Sequence, residues 1–560
     1  MHSAQPTDPD VMPKRRRPGL RGLVSRHAEQ AGSGSGPSER SRRPRPWLVR
    51  SLAGLGWTAA AALVFALFLR ISLEKLMTSD GANNALQAWD MLHGNLVLHG
   101  WIVGDVTFYT FELPVIAILE FFLGLHADTM HVAEALIYVI VAAFAVAIAV
   151  TDSRGLSRVA RASVVVAVFA APTLVHSDLW IPLGIPDHTG TTAFLLASFL
   201  LVDRATGRRW TAPLLCLILC AGQISDVTVR YVAVPAIALV CLYRILADRK
   251  LISGDAANLV AAVLSVPLSL AIRAFMRDHL GAYLMVTPKT AIAPFSAWQT
   301  NASIAWTSLR EVYGIESGPN NPPAGLTVIF GWACLAAAAF GILRVLWRWR
   351  TARRAEQALV IAMAANFMVY MLSTLVSTRS PHDLIALLPC GAVLAARALV
   401  PERIVSRLAA VPVTCLALVA ALLPLSVAAA QPIPTSGLPV LISWLKANNL
   451  RYGLGGYWDS SETALESADQ VQIRAVDGSH TAHGNVISLY PWETNTTWFD
   501  PTKHDANFVV LDLPQLVLHA TVLGVFGKPV STHIIGNWEI LVYHENLLTR
   551  LTPPTLKPMS

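Results

Sequence analysis

Apolar residues run through this chain in long blocks, separated by short clusters that are rich alternately in arginine and in acid. About eleven blocks approach the ~20 residues a helix needs to cross a bilayer. They lie near 52–71, 130–150, 160–176, 189–203, 210–224, 231–246, 256–274, 324–345, 357–377, 383–399 and 408–429. Such blocks must be helical, because backbone polar groups cannot go unpaired in lipid. The predicted fold is a polytopic α-helical membrane protein with about 11 transmembrane helices. Two connections are long, 72–129 and 275–323. In the first, Phe111-Glu112-Leu113-Pro114 precedes an apolar run from Val115 to Leu125 that is too short to span and is expected in the interface.

The pattern changes at both ends. Residues 1–46 are rich in Pro, Ser, Gly and Arg, cannot bury a core, and are expected to form a disordered basic tail. No cleavage pattern adjoins the first apolar run, so that run is expected to be retained. From about Gln431 hydrophobicity falls and turn residues rise. There Gly437 to Leu450 reads as a short helix, and Phe508–Leu511 and Trp538–Tyr543 read as strands from their β-branched and aromatic content. The predicted division is a tail over 1–46, a membrane domain over 47–430, and an α/β domain over 431–560.

Charge sets the orientation. Arg154, Arg158 and Arg161 share a side with Arg204, Arg208 and Arg209, with Arg244, Arg249 and Lys250, with Arg344 to Arg354, and with Arg403 and Arg407. The intervening loops carry Asp80, Asp90, Asp105, Glu112, Asp178, Asp187 and Asp226. By the positive-inside rule the N-terminus is expected in the cytoplasm and the C-terminal domain outside, in a plasma membrane. Composition agrees: 54% of residues are hydrophobic and 14% charged, against roughly a quarter charged in a soluble domain. The net charge of +7 sits at span ends and in the tail, so a nucleic-acid partner is excluded. All six cysteines fall in apolar segments without metal-ligand spacing and read as small buried hydrophobes.

Ionisable groups near membrane depth are costly and mark functional sites. Asp80 follows the first span; Asp187 and His188 open the fourth; Asp226 and Arg230 lie between the fifth and sixth; Arg379, His382 and Asp383 precede the tenth. All are predicted on the outer side. Asp80 suits a general base or a metal ligand toward an acceptor hydroxyl, and equally a helix N-cap before Gly81-Ala82-Asn83-Asn84. Asp187 has the same two readings and is the natural partner of Asp80. Arg379 suits bidentate hold of a phosphate, an interfacial anchor, or a partner for Asp383. Asp226 and Arg230, four apart, read as an ion pair on one helix. The aromatic, glycine-rich stretch Leu450–Asp459 reads as a sugar-stacking surface or a packed strand.

Asp80 and the following Ala85-Leu86-Gln87-Ala88-Trp89-Asp90-Met91-Leu92-His93-Gly94-Asn95 resemble the first outer loop of GT-C glycosyltransferases, in their protein mannosyltransferase and lipid A sugar transferase branches. Phe108–Leu125 with Met130–Val150 resembles the Pro-containing segment and second span of that family. Pro186-Asp187-His188 resembles its second outer-loop acid, and Arg379–Ala396 its late arginine-led span. The resemblance covers roughly residues 50–400, and the outer C-terminal domain fits the family plan. It implies Asp80 as base and Asp187 as supporting acid or metal or donor contact; Arg379, His382 and His188 are, by their own chemistry, the candidates to face a donor phosphate. It also implies an inverting transfer from a polyprenyl-phosphate sugar, and it admits a divalent metal ion. The acceptor would be a cell-envelope glycan, lipid or protein. Two departures stand out: Gly81 replaces a second acid after Asp80, and Ser380-Pro381-His382-Asp383 replaces an aromatic after the late arginine. A transporter or lipid-carrier flippase is the alternative, although no repeat relates the two halves. A scaffold whose outer domain binds glycans is a third.

Overall fold

The computed structural model describes residues 46–174, 183, 187–286, 290–316, 325–378, 380–403, 407–481, 484–513 and 517–552. Arg379, Asp178 and Trp180 lie outside the described residues. The chain falls into two compact units, 1–57 and 58–560. The described part of the first, residues 46–57, is helical. The second carries the bundle and a C-terminal sheet.

The helices are α1 (Pro46–Ser72), α2 (Ser79–Leu92), α3 (Glu112–Leu123), α4 (Ala127–Ala149), α5 (Leu156–Ala170), α6 (Thr189–Ala205), α7 (Thr211–Ser225), α8 (Thr228–Asp248), α9 (Gly254–Leu280), α10 (Trp298–Val312), α11 (Gly325–Trp347), α12 (Arg354–Leu372), α13 (Leu387–Leu399), α14 (Arg407–Ala428), α15 (Leu438–Ala447), α16 (Tyr457–Glu466) and α17 (Val517–Phe526). The strands are β1 (Trp101–Val103), β2 (Leu284–Met285), β3 (Tyr452–Gly455), β4 (Gln472–Thr481), β5 (Gly484–Leu489), β6 (Thr494–Asn495), β7 (Phe508–Asp512), β8 (Ser531–Ile535) and β9 (Trp538–Val542).

Among the described residues nine helices are long and apolar enough to cross a membrane, and the chain is a multi-pass membrane protein. Two further predicted segments, α6 and α7, are helical but only 17 and 15 residues long. At the centre lies α13, short and buried along its length. Its neighbours come close because small residues face them: a Cβ on Gly341 of α11 would stand 2.6 Å from the Leu394 backbone. A Cβ on Gly391 would stand 2.0 Å from the Tyr313 hydroxyl, which donates to the Leu387 carbonyl at 3.0 Å.

The loops that are basic by sequence meet at one end. Arg204 donates to the Ala147 carbonyl at 2.8 Å, Arg244 to that of Ala352 at 2.7 Å, and Arg353 and Arg354 pair with Asp203 and Asp255 at 2.8 and 2.7 Å. Asp80, Asp187, Asp226 and Asp383 belong to the other end. There the short helix α3 buries Glu112, Leu113 and Ile116 and exposes Ile118, Phe121 and Phe122, the one-sided burial of an interfacial segment.

The C-terminal region is a six-stranded sheet of order β5-β4-β3-β7-β9-β8. Strand β3 runs parallel to β4 and β7, and the remaining pairs are antiparallel. The segments predicted as strands are β7 and β9, hydrogen-bonded neighbours. The segment read as a short helix is α15. A second, three-stranded sheet of order β2-β1-β6 ties both long loops of the bundle to this region. The side chains of Ala464 and Leu465 in α16 complete the apolar cluster around α2 and α3. The C-terminal region is thereby seated on the loop that carries Asp80.

Candidate active site

Asp80 lies in the first turn of α2 and does not cap it. That role falls to Thr78, whose hydroxyl accepts from the Gly81 amide at 3.3 Å. The Asp80 carboxyl is left to receive a hydrogen bond from the hydroxyl of Tyr457, at the start of α16. Tyr457 is itself fixed. Its carbonyl accepts from Ser79 at 2.6 Å, and Ser461, one turn on, donates to Asn83 at 2.6 Å. The Tyr457 hydroxyl also lies 3.0 Å from Glu493 Oε2 and 3.4 Å from Asn83 Nδ2.

Burial pushes the Asp80 carboxyl up to about 6, the Tyr457 hydrogen bond opposing and the Asp187 charge adding to the rise. Burial and the neighbouring Asp80 charge hold Glu493 well above the usual carboxylate range. Burial, with both acids, keeps the Tyr457 hydroxyl protonated. Glu493 also has a left-handed backbone, φ +44, a costly conformation for a non-glycine residue that recurs at functional sites.

A second cluster gathers around His188. Its backbone is left-handed as well, φ +52, at the N-cap of α6. Asp187 precedes it and makes no cap. His188 Nδ1 lies 2.6 Å from Asp226 Oδ2, and Nε2 lies 3.0 Å from Asp383 Oδ1 and 3.8 Å from Asp187. His382 Nε2 is 3.3 Å from the other Asp187 oxygen, and the two imidazoles stack at 5.8 Å. Burial alone would lower His188. The charges of Asp226 and Asp187 and the hydrogen bonds to Asp226 and Asp383 outweigh it and hold the ring well above its ordinary value. Despite burial, His188 in turn draws Asp226 below the usual carboxylate range.

Asp226 is therefore not the ion-pair partner of Arg230. It is fully engaged by His188, Thr191 and the Thr228 amide. Arg230 turns its Nε to Gln223 at 3.4 Å, and its buried Nη2 has no partner among the described residues. Residues four apart meet only within one helix, and α8 begins at Thr228, leaving Asp226 off it. Arg230 and Arg273 line a cleft of about 330 Å³ whose other wall carries Asp105, His188, Asp226 and Asp383. Burial and the neighbouring aspartates push Asp105 up to about 6, the His188 charge opposing.

Local chain chemistry sets these positions. The Asn366 amide holds the Asp383 carbonyl at 3.0 Å, steadying the turn Pro381–Leu384. Residues Asp105 to Thr110 are strapped to the end of α7 by the Val106–Asp226 bridge and the 2.7 Å bond from Thr107 to the Ser225 carbonyl. The Gly190 amide donates to Glu112 at 3.0 Å, and burial pushes that acid up to about 8.

Asp187, His188 and His382 each offer one ligand atom, all within 4.8 Å of one another. Two imidazoles and a carboxylate suit a divalent ion of intermediate softness. The Nδ1–Asp226 hydrogen bond is the outer contact that orients a ligating imidazole. The donor set fits a metal.

Of the residues singled out in the sequence, Asp187, His188 and His382 come together with Asp226 and Asp383. The charges of Asp187 and His382 act on Asp80. Tyr457 and Glu493 carried no signal as partners of an acid 377 and 413 residues away; the aromatic stretch Leu450–Asp459 forms the packed strand β3 over Tyr452–Gly455, as one of its two readings had it, and then the start of α16, which carries Tyr457.

The fold matches the crystal structure of ArnT from Cupriavidus metallidurans in the apo state, with TM-score 0.52 and 14% identity, covering 90% of this chain and 100% of that one. ArnT bound to undecaprenyl phosphate matches with TM-score 0.51 and 14% identity over 89% and 99%. The apo oligosaccharyltransferase of Archaeoglobus fulgidus aligns at TM-score 0.44 and 12% identity over 83% of this chain and 71% of that one. No family model and no curated protein matches the sequence. The likeness to ArnT is one of fold, and it is the GT-C fold that the sequence resemblance implies.

Proposed function

We propose that this chain is an integral membrane glycosyltransferase that moves a sugar from a polyprenyl-phosphate donor to an acceptor hydroxyl, with inversion at the anomeric carbon. The observation that carries the proposal is a half-buried carboxyl, Asp80, at the same end of the bundle as a cleft in which the Arg230 guanidinium has a buried nitrogen without a partner among the described residues. The first suits a base, the second a leaving phosphate. The fold shared with ArnT, crystallised with undecaprenyl phosphate, supports this division of labour.

In the reaction, ionised Asp80 takes the proton of the acceptor hydroxyl as its oxygen attacks the anomeric carbon. The bond to the lipid phosphate breaks, and the developing phosphate charge falls to Arg230 and Arg273. Arg379 is the sequence-based candidate for the same charge, with His188 and His382. Asp187 supports the site as its second acid. A divalent ion, when bound, would be held by Asp187, His188 and His382 and would supply Lewis-acid neutralisation of the phosphate. The acceptor is a cell-envelope glycan, lipid or protein. The arginine-rich end belongs in the cytoplasm by the positive-inside rule, with Asp80 and the domain over 431–560 outside the plasma membrane.

The test is Asp80→Asn in purified full-length protein, with transfer from a radiolabelled polyprenyl-phosphate sugar as readout. Transfer should fall by roughly 10²–10⁴-fold, the contribution of a positioned base. Full transfer by the variant would end the assignment of Asp80.

A further inference from the structure

At the end of the bundle opposite Asp80 a second polar cavity, of about 120 Å³, is lined by five arginines: Arg161, Arg344, Arg348, Arg353 and Arg397. It lies far from the first cleft. Asp383, in the turn before α13, and Arg397, near the far end of that helix, are separated by most of its length, about 15 Å or more at helical rise.

The arginines are not balanced locally. Three acids share the lining and Asp203, just outside it, pairs with Arg353, so five positive charges face four negative. Two of the lining acids are already engaged: Asp152 pairs with Arg353, and Glu356 with Arg397 at 2.7 Å. Only Glu402 remains to face Arg161, Arg344 and Arg348. None of these three makes an ion pair among the described residues. Arg161 is 2% exposed and, among the described residues, bonds to carbonyls alone, those of Val400 and Ala149 at 3.0 Å and of Thr151 at 3.4 Å. Arg344 donates to the Arg397 carbonyl. Arg161 and Arg397 both donate to the Thr151 carbonyl at 3.4 Å, which brings two guanidiniums together. Arg161 is thus a buried charge without an opposite partner among the described residues, which is costly unless an anion completes it, and the half-buried Arg344 and exposed Arg348 add positive charge beside it.

Size and position narrow the anion. The cavity is well below the ~300 Å³ at which sites for whole small molecules begin, so it suits a single phosphate group rather than a nucleotide. Between the lining residues Val345 and Arg348 the chain carries Leu346 and Trp347, 50% and 91% exposed. Exposed tryptophan beside arginine is the signature of the headgroup layer. The anion most abundant at that depth is the phosphate of a lipid, and basic pockets between spans are a recurrent way to hold one.

We propose that this cavity binds the headgroup phosphate of an anionic phospholipid from the leaflet at the arginine-rich end. The test uses full-length protein in nanodiscs of phosphatidylcholine alone or containing phosphatidylglycerol, with retained lipid counted by native mass spectrometry and unfolding followed by heat. Wild type should keep one phosphatidylglycerol and unfold at a higher temperature with it. Arg344→Gln with Arg348→Gln should weaken retention roughly 30-fold, two basic contacts being removed. If that pair does not fold, Arg348→Gln alone, on an exposed side chain, should weaken it roughly fivefold. Arg350→Gln, exposed and outside the lining, should change nothing. Equal retention by wild type and the variants, equal loss in Arg350→Gln, or stabilisation by inorganic phosphate but not by phosphatidylglycerol would each overturn the assignment.

Discussion

Tyr457 has one proton to donate and two carboxyl groups to face. It gives that proton to Asp80, so Glu493, 3.0 Å from the same hydroxyl, must supply its own and donate to the Tyr457 oxygen. The result is a directed chain, Glu493 to Tyr457 to Asp80, ending on an ionised carboxylate. The raised affinity of Glu493 for its proton agrees with this order. A base must be ionised to act, so transfer should rise with pH through about 6 and level above it. Tyr457→Phe removes a hydrogen bond that favours the charged form, so the acid limb should move to higher pH while the plateau partly recovers. Glu493→Gln keeps a donor toward Tyr457 and should leave the limb near its wild-type position. A pH–rate profile of the three proteins checks both signs; an unmoved limb in Tyr457→Phe would show that the tyrosine does not tune the base. The sign for stability is opposite. A carboxyl raised from 3.8 to about 6 on folding costs stability above 6, and that cost vanishes as the pH falls toward 4. Asp80→Asn should therefore unfold at a higher temperature than wild type at pH 7, the difference narrowing through 6, which separates lost chemistry from lost fold.

At the scale of elements, the start of α6 is the joint on which the His188 cluster depends. Gly190 lets Glu112 of α3 reach the first turn of α6: a Cβ there would stand 2.1 Å from Glu112 Oε1 and 2.6 Å from the Phe111 ring. Glu112 is buried between α3 and α6 and cannot swing into solvent. Gly190→Ala should destabilise the protein by about 1–3 kcal/mol, the usual cost of overpacking, and lower transfer by disturbing His188. Thermal unfolding and transfer measured together would check it; an unchanged unfolding temperature would mean the joint yields freely. Much of this level was legible in the sequence. Apolar runs are direct consequences of bilayer thickness, so helices appear where the runs were read, and the short Val115–Leu125 run lies within and just beyond a half-exposed helix. The fine placement was not. Whether Asp80 or Thr78 caps α2, and whether Asp226 sits on α8 or just before it, turns on one or two residues at a helix end, and helix ends are set by competing hydrogen bonds rather than by hydrophobic pattern.

At the scale of the whole molecule, the site is shared between regions far apart in sequence. Composition alone separates an apolar bundle from a C-terminal sheet, and alternating loop charge sorts the bundle's two ends. Neither carries information on how the sheet docks, because docking depends on shape. The first long loop meets the segment Trp492–Thr497 where glycines leave room: a Cβ on Gly104 would stand 2.8 Å from the Trp492 ring, and Gly100, at φ +84, faces Asn495. That contact sits one residue from Glu493 and should set whether Glu493 and Tyr457 reach Asp80. Gly104→Leu should push the segment away and lower transfer, with the acid limb displaced in the same direction as in Tyr457→Phe, since Asp80 loses the same hydrogen bond. Trimming the opposing ring, in Gly104→Leu with Trp492→Ala, should restore part of the transfer and return the limb toward about 6. Rescue of this kind distinguishes docking from general damage. If Gly104→Leu transfers fully, or if the double variant is no better than the single one, the C-terminal sheet does not govern the base.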